Sequence, residues 1–283
     1  MMTNAQLSLW DNEPLERGYH CLSDLKLIDA RNYFTEALRC SYGEKESIFV
    51  AIAACDYWLP RVHSTTTLAS SAITILLSDF RQFPFTPFLN GLKKSLLDYI
   101  VEIFSQQTSF NWDEMEITFD LLLEMKNYNK AEHFISNMMI KNFEKWYLLY
   151  FLAQAQWLDG NKITSTENYI IALLHYPEKA VLNRIEHKEI QSIVIHHGAT
   201  IAPAYCCLLG FIPFIPDTNN IQLNDAAHAS AIKCLYLLRE ANNAFLNDDL
   251  QSSIHYRKQL KSENAELYDL FFEMLKQKKI MKK

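Results

Sequence analysis

An all-α fold is what this 283-residue sequence predicts, and three observations carry the prediction. Glycine is scarce, at 6 residues, while long side chains abound, with 17 Phe and 14 Tyr. That composition favours helices and leaves little room for the Gly-rich turns of doubly wound nucleotide-binding folds. Apolar residues recur with helical period nearly throughout, and no run of five or more alternates polar with apolar between turns, so no strand is expected. Finally, a shift of 34 residues lays one helix–turn–helix segment on the next.

Each element has its own local signals. Asp113–Lys126 starts with acids, continues apolar and closes on Lys, which suits the helix dipole. Asn127-Tyr128-Asn129 reads as a short turn, and Lys130–Ile140 as the next helix. Asn142–Leu158 is a third, ended by the Asp159-Gly160-Asn161 turn signal. Lys162–His175 is a fourth, stopped before Pro177. Such short connections force antiparallel hairpins. Residues 81–91 (RQFPFTPFLNG) and 211–223 read as irregular. Pro213 and Pro216 exclude a central strand over Phe211–Ile215.

Under the 34-residue shift Phe119 meets Ala153, Leu122 meets Gln156, Ala131 meets Ser165, Ile135 meets Tyr169 and Met138 meets Ala172. Packing explains the pattern. A small residue early in the second helix lets it approach the first, and a large one four later fills the gap. A small or medium residue three further on admits the next hairpin.

Ala30-x-x-x-Phe34-x-x-Ala37, with Gly18 twelve residues before Ala30, resembles a tetratricopeptide repeat. So does Ala153…Gly160…Tyr169-x-x-Ala172…Pro177. The repeat units read from this resemblance are 11–45, 112–144 and 146–178, with a weaker one at 228–262 marked by Ser252 and Tyr256 after the Asn247-Asp248 turn. The first departs from the pattern at Arg17 and Tyr42. The resemblance implies one domain over 1–283, a right-handed α-α superhelix of antiparallel hairpins with a concave face lined by the first helices. Carried over, the partner-facing residues are Tyr19 and Leu22, then Asp113, Glu116 and Asp120, then Tyr147, Tyr150, Gln154 and Trp157. The family's Lys, Arg and Asn clamp for a peptide C-terminus has no counterpart at the matching places.

Composition bounds the function. Lys+Arg is 27 and Asp+Glu 33, a net charge of −6, so no global field draws polyanions. The basic cluster Lys276, Lys278, Lys279, Lys282 and Lys283 suits a helix C-terminus. Six cysteines without a C-x-x-C pair suggest free thiols in a reducing compartment, and residues 1–17 carry no secretory pattern. Gly198–Pro216 lacks charge for 19 residues, but its prolines favour a buried helix followed by a Pro-bounded turn over a membrane span.

Nucleophile-elbow, phosphate-loop and helical zinc motifs are all absent. His196-His197 before Gly198 reads as a helix end, and Cys206-Cys207 as core. Helical spacing gathers Asp113, Glu116, Asp120 and Glu124 on one face. The expectation is a non-enzymatic, cytoplasmic scaffold without a cofactor. It would bind a protein or peptide partner bearing basic and apolar groups, with neither nucleic acid nor a membrane span, and an oligomer is left open. The alternatives are a structural subunit that buries Gly198–Pro216 between chains, an all-α enzyme using His187, His196 or His197, and nucleic-acid binding through the terminal lysines.

Overall fold

The computed structural model describes residues 13–40, 45–64, 70–106, 111–141, 145–212, 221 and 223–281. Among these residues there are fourteen α-helices, three short 3₁₀ turns and no strand. The chain divides into two compact units at Asn127–Tyr128. That boundary falls inside the span 112–144, at the turn between its helices.

Unit 1 holds α1 (Glu13–Ser23), α2 (Leu27–Arg39), α3 (Lys45–Ser64), α4 (Ser70–Gln82), α5 (Asn90–Gln106) and α6 (Trp112–Glu124). Helix α1 packs on α2, where Gly18 is required. A Cβ there would sit 2.7 Å from Phe34 Cε1, and Phe34 is fully buried. Helices α3 and α4 are joined by Asp79, which accepts from Tyr57 Oη at 3.1 Å and from Arg61 Nε at 2.6 Å. Of the segment 81–91 only residues 83–86 are irregular, between the end of α4 and the 3₁₀ turn Pro87–Leu89, and aromatic packing anchors them. Phe83 and Phe85 lie 5.4 and 6.1 Å from the fully buried Trp58 ring.

Unit 2 holds α7 (Tyr128–Lys141), α8 (Lys145–Asp159), α9 (Lys162–His175), α10 (Lys188–His197), α11 (Ala202–Leu208), α12 (Ala226–Leu246), α13 (Leu250–Glu263) and α14 (Ala265–Met281). Gln156 ties three helices together: its Nε2 donates to Glu132 Oε1 at 3.0 Å, and its Oε1 accepts from Asn168 Nδ2 at 2.7 Å. Helix α11 is buried within the unit from Ala202 to Cys206 and ends at Gly210, φ 77°. The prolines from Pro213 on lie outside the described residues. No described helix is long and apolar enough to cross a membrane.

One turn, found also at Gly210 after α11, recurs at four junctions where a described helix follows directly. The helices before it end with a residue in the left-handed region: Leu25 (φ 57°), Lys126 (55°), Gly160 (97°) and Asp248 (58°). In each, that residue's N–H donates to the carbonyl three before it, and the next N–H donates to the carbonyl five before itself. The bonds are Lys26 N to Cys21 O, Asn127 N to Leu122 O, Asn161 N to Gln156 O and Asp249 N to Ala244 O, at 2.9, 2.9, 2.8 and 2.9 Å. These are Schellman caps, which satisfy the helix's last carbonyls. Five residues past each left-handed position stands a small, fully buried residue: Ala30, Ala131, Ser165 or Ser253. Seven before it stand Gly18, Phe119, Ala153 or Ala241, all buried. The two serines bond alike, Ser165 Oγ to Ala153 O at 2.6 Å and Ser253 Oγ to Ala241 O at 3.4 Å.

Two sequence readings are corrected. The turn expected at 127–129 centres on Lys126, and Tyr128 already starts α7. In the fourth hairpin the buried small residue is Ser253, one beyond the Ser252 reading, and the buried large residue is Leu260, four beyond Tyr256. Asp248 takes the left-handed angle there, while Asp249 caps α13 by accepting from Ser252 N at 3.1 Å.

Candidate functional site

Three helices hold the expected partner-facing residues, α1 and α6 in unit 1 and α8 in unit 2, and of these Leu22 on α1 is 1% exposed and belongs to the core. In unit 1, α6 starts at Asn111, whose side chain accepts from Asp113 N at 3.0 Å. Asp113 and Glu124 are exposed, while Glu116 and Asp120 are half-buried. Glu114, one residue out of that register, turns inward at 5% exposure. Its carboxylate accepts from the Thr74 hydroxyl on α4. Its surroundings form a cleft of about 320 Å³ between α4 and α6. By sequence Glu114 reads only as one of the acids of a helix start. Its spacing from the buried Thr118 and Leu121 is the available signal of an inward face. Tyr19 on α1 is half-buried and meets the Phe34 ring edge-on at 5.0 Å.

In unit 2 the equivalent face of α8 is covered by the chain itself. Tyr147 is half-buried, but Tyr150 is fully buried and Gln154 only 6% exposed, so these two present no side chain to a partner. The cover is the stretch 176–187, an extended chain broken by 3₁₀ turns at Pro177–Lys179 and Leu182–Arg184. Tyr150 Oη donates to Tyr176 O at 3.2 Å. Gln154 Nε2 donates to Glu186 Oε1 at 2.9 Å, and its Oε1 accepts from Arg184 Nη1 at 3.3 Å. The Arg184 guanidinium lies 4.7 Å from the centre of the Phe151 ring, and Ile185 is 1% exposed. From α9, Tyr169 Oη donates to Arg184 O at 2.6 Å and accepts from Glu186 N at 3.1 Å, fixing both main-chain groups flanking Ile185. Burial raises the Tyr150 and Tyr169 phenols above their ordinary range, so both stay protonated.

His187 closes the stretch, 4.7 Å from the Trp157 ring and 5.1 Å from Phe211. Its Nδ1 lies 3.0 Å from Glu189 Oε2 without the alignment of a hydrogen bond. Burial lowers its pKa, against the opposing pull of Glu189. His196 and His197 occupy the other end of α10, about 14 Å along the axis. His196 Nδ1 is 2.7 Å from Ser192 O, while His197 stacks on Tyr205 at 3.9 Å with Glu266 3.6 Å away. The fold thus separates His187 from the other two. Among the described residues no group of three His, Cys, Asp or Glu could hold a metal ion.

All six cysteines are free, and burial pushes the Cys55, Cys206 and Cys207 thiols up to about 12 and Cys234 to about 11. Thiols so raised hold little thiolate at neutral pH and make poor nucleophiles. Lys276, the described member of the terminal cluster, donates to Glu273 Oε1 at 2.6 Å and stands 4.6 Å over Phe272; Lys282 and Lys283 lie outside the described residues.

The chain matches no protein-family model, and comparison with curated proteins and with solved structures finds none similar to it.

Proposed function

We propose that this chain is a non-enzymatic protein-binding scaffold of the cytoplasm, built from tetratricopeptide-like hairpins in a right-handed superhelix. It takes an extended partner segment along its first-helix faces. One observation supports this most: the α8 face at Tyr147, Tyr150 and Gln154 carries an extended stretch of the chain's own sequence, held by Arg184 and Ile185. The 34-residue shift equates that face with Asp113, Glu116 and Asp120 on α6. A face that seats an Arg-Ile stretch internally is a template for seating a similar stretch from outside. The acids of α6 suit a partner with Lys or Arg beside an aliphatic anchor. Tyr19 adds aromatic area to the same class of surface.

The test is affinity purification from native lysate with the wild-type chain and with the triple reversal Asp113→Lys, Glu116→Lys and Asp120→Lys, both checked for helicity by circular dichroism. Proteins captured by the wild type should be depleted about tenfold or more by the reversal, because like charges replace attraction across the contact. Equal capture by a folded triple variant would remove α6 as the recognition face.

A further inference from the structure

We infer that the cleft between α4 and α6 is a binding site for a ligand that carries an alkylammonium group at one end and a carboxylate at the other. Glu114 is the counter-ion for the first and Arg81 for the second. Charge is unbalanced at the inner end. Glu114 is 95% removed from solvent (5% exposed), and its side chain has one partner among the described residues, the Thr74 hydroxyl. A carboxylate offers about four acceptor directions, so most of its capacity is unspent. A carboxylate taken out of water without a cation is costly, and no Lys, Arg or His among the described residues pairs with it. The cleft that Glu114 lines is the route by which an external cation reaches it.

The other end of the cleft has the complementary imbalance. Arg81 lines it, is exposed, and forms no ion pair among the described residues. Thr74 and Arg81 are seven residues apart on α4, about 10 Å along the helix axis. Leu77 and Ile117 line the space between as an aliphatic wall. The volume of about 320 Å³ sits at the small end of ligand sites. Cation, aliphatic body and anion in that order describe an ω-amino acid. They describe equally the C-terminal lysine of a polypeptide, with its side-chain ammonium and terminal carboxylate. This site stands independently of the scaffold reading.

The experiment titrates the full chain with 6-aminohexanoate, hexylamine, hexanoate and Nα-acetyl-lysine, following the methyl resonances of Leu77 and Ile117. Saturable shifts are expected with 6-aminohexanoate, weaker binding with hexylamine, and none with hexanoate. Glu114→Gln should weaken 6-aminohexanoate about tenfold or more, the scale of a charged hydrogen-bonded contact. Arg81→Gln, at an exposed position, should abolish the preference for 6-aminohexanoate over hexylamine. Nα-acetyl-lysine binding as well as 6-aminohexanoate assigns the site to polypeptide C-termini, and its failure assigns it to free amino acids. The inference is overturned if no probe saturates, if hexanoate matches hexylamine, or if Glu114→Gln binds like the wild type. Should Glu114→Gln fail to fold, an unchanged preference in Arg81→Gln overturns it instead.

Discussion

Helices α6 and α8 stand 34 residues apart at matching positions, yet they spend the same face differently. On α8 the positions hold Tyr147, Tyr150 and Gln154, and the stretch 176–187 lies over them. On α6 the corresponding side chains are Asp113, Glu116 and Asp120, exposed or half-buried. Residue chemistry tracks this fate. A phenol and an amide can be buried when their polar atoms find main-chain or side-chain partners, whereas three carboxylates on one turn-spaced row keep contact with water. Occupancy of the face is therefore decided by the chain downstream of the hairpin. After α9 the chain stops at Pro177 and doubles back extended over α8, supplying the cover.

Loosening the cover should make the α8 face resemble that of α6. Ile185→Ala should destabilise unit 2 by about 2–5 kcal/mol, since it empties a 1%-exposed site. Hydrogen exchange should then rise first at residues 180–187, before α8 and α9. Uniform acceleration across unit 2 would mean that the cover and the hairpin are one cooperative element.

A second pair of substitutions probes the likeness of the turns that follow α6 and α8. Gly160→Lys should cost about 1 kcal/mol, and Lys126→Gly should gain a similar amount, because φ is 97° and 55° at the two positions. An added Cβ at Gly160 meets nothing within 4 Å, so the cost is conformational and not steric. Chemical denaturation of both variants checks the opposite signs; equal signs would show that the turns are not equivalent.

The smallest effect concerns the end of the cover. Burial lowers the His187 pKa from 6.5, so the unfolded chain binds the proton more readily than the folded one. Its contribution is therefore complete above pH 6.5 and is lost as pH falls through the lowered folded value. Urea midpoints at about pH 7.5 and 5.5 should differ by less in His187→Gln than in the wild type. An identical pH dependence would take His187 out of the linkage.

Legibility in the sequence tracks the range of the interactions. The bounds of α9 are those read from the residues, Lys162–His175, because Gly160 and Pro177 act locally at both ends. The sequence also pairs Ala131 with Ser165 under the 34-residue shift, and both are small and fully buried. Lys126 is not legible, since nothing in a lysine announces a left-handed angle, while the neighbouring Asn127-Tyr128-Asn129 imitates a turn. Asn247-Asp248-Asp249 offers three turn-formers in a row, and only packing selects which one takes φ 58°. The burial of Tyr150 and Gln154 depends on residues some 30 positions later, beyond any periodicity argument. Glu114 is hidden because an acid in a first helical turn already has a sufficient local reason to be there.

The recurring cap is built from main-chain atoms and asks for one torsion, not one residue. It is spelled Leu, Lys, Gly and Asp at the four junctions that lead straight into another helix, and Gly again after α11. A unit whose defining joint is written in angles lets its letters wander, so common descent among these hairpins is better judged by superposing backbones than by matching alphabets.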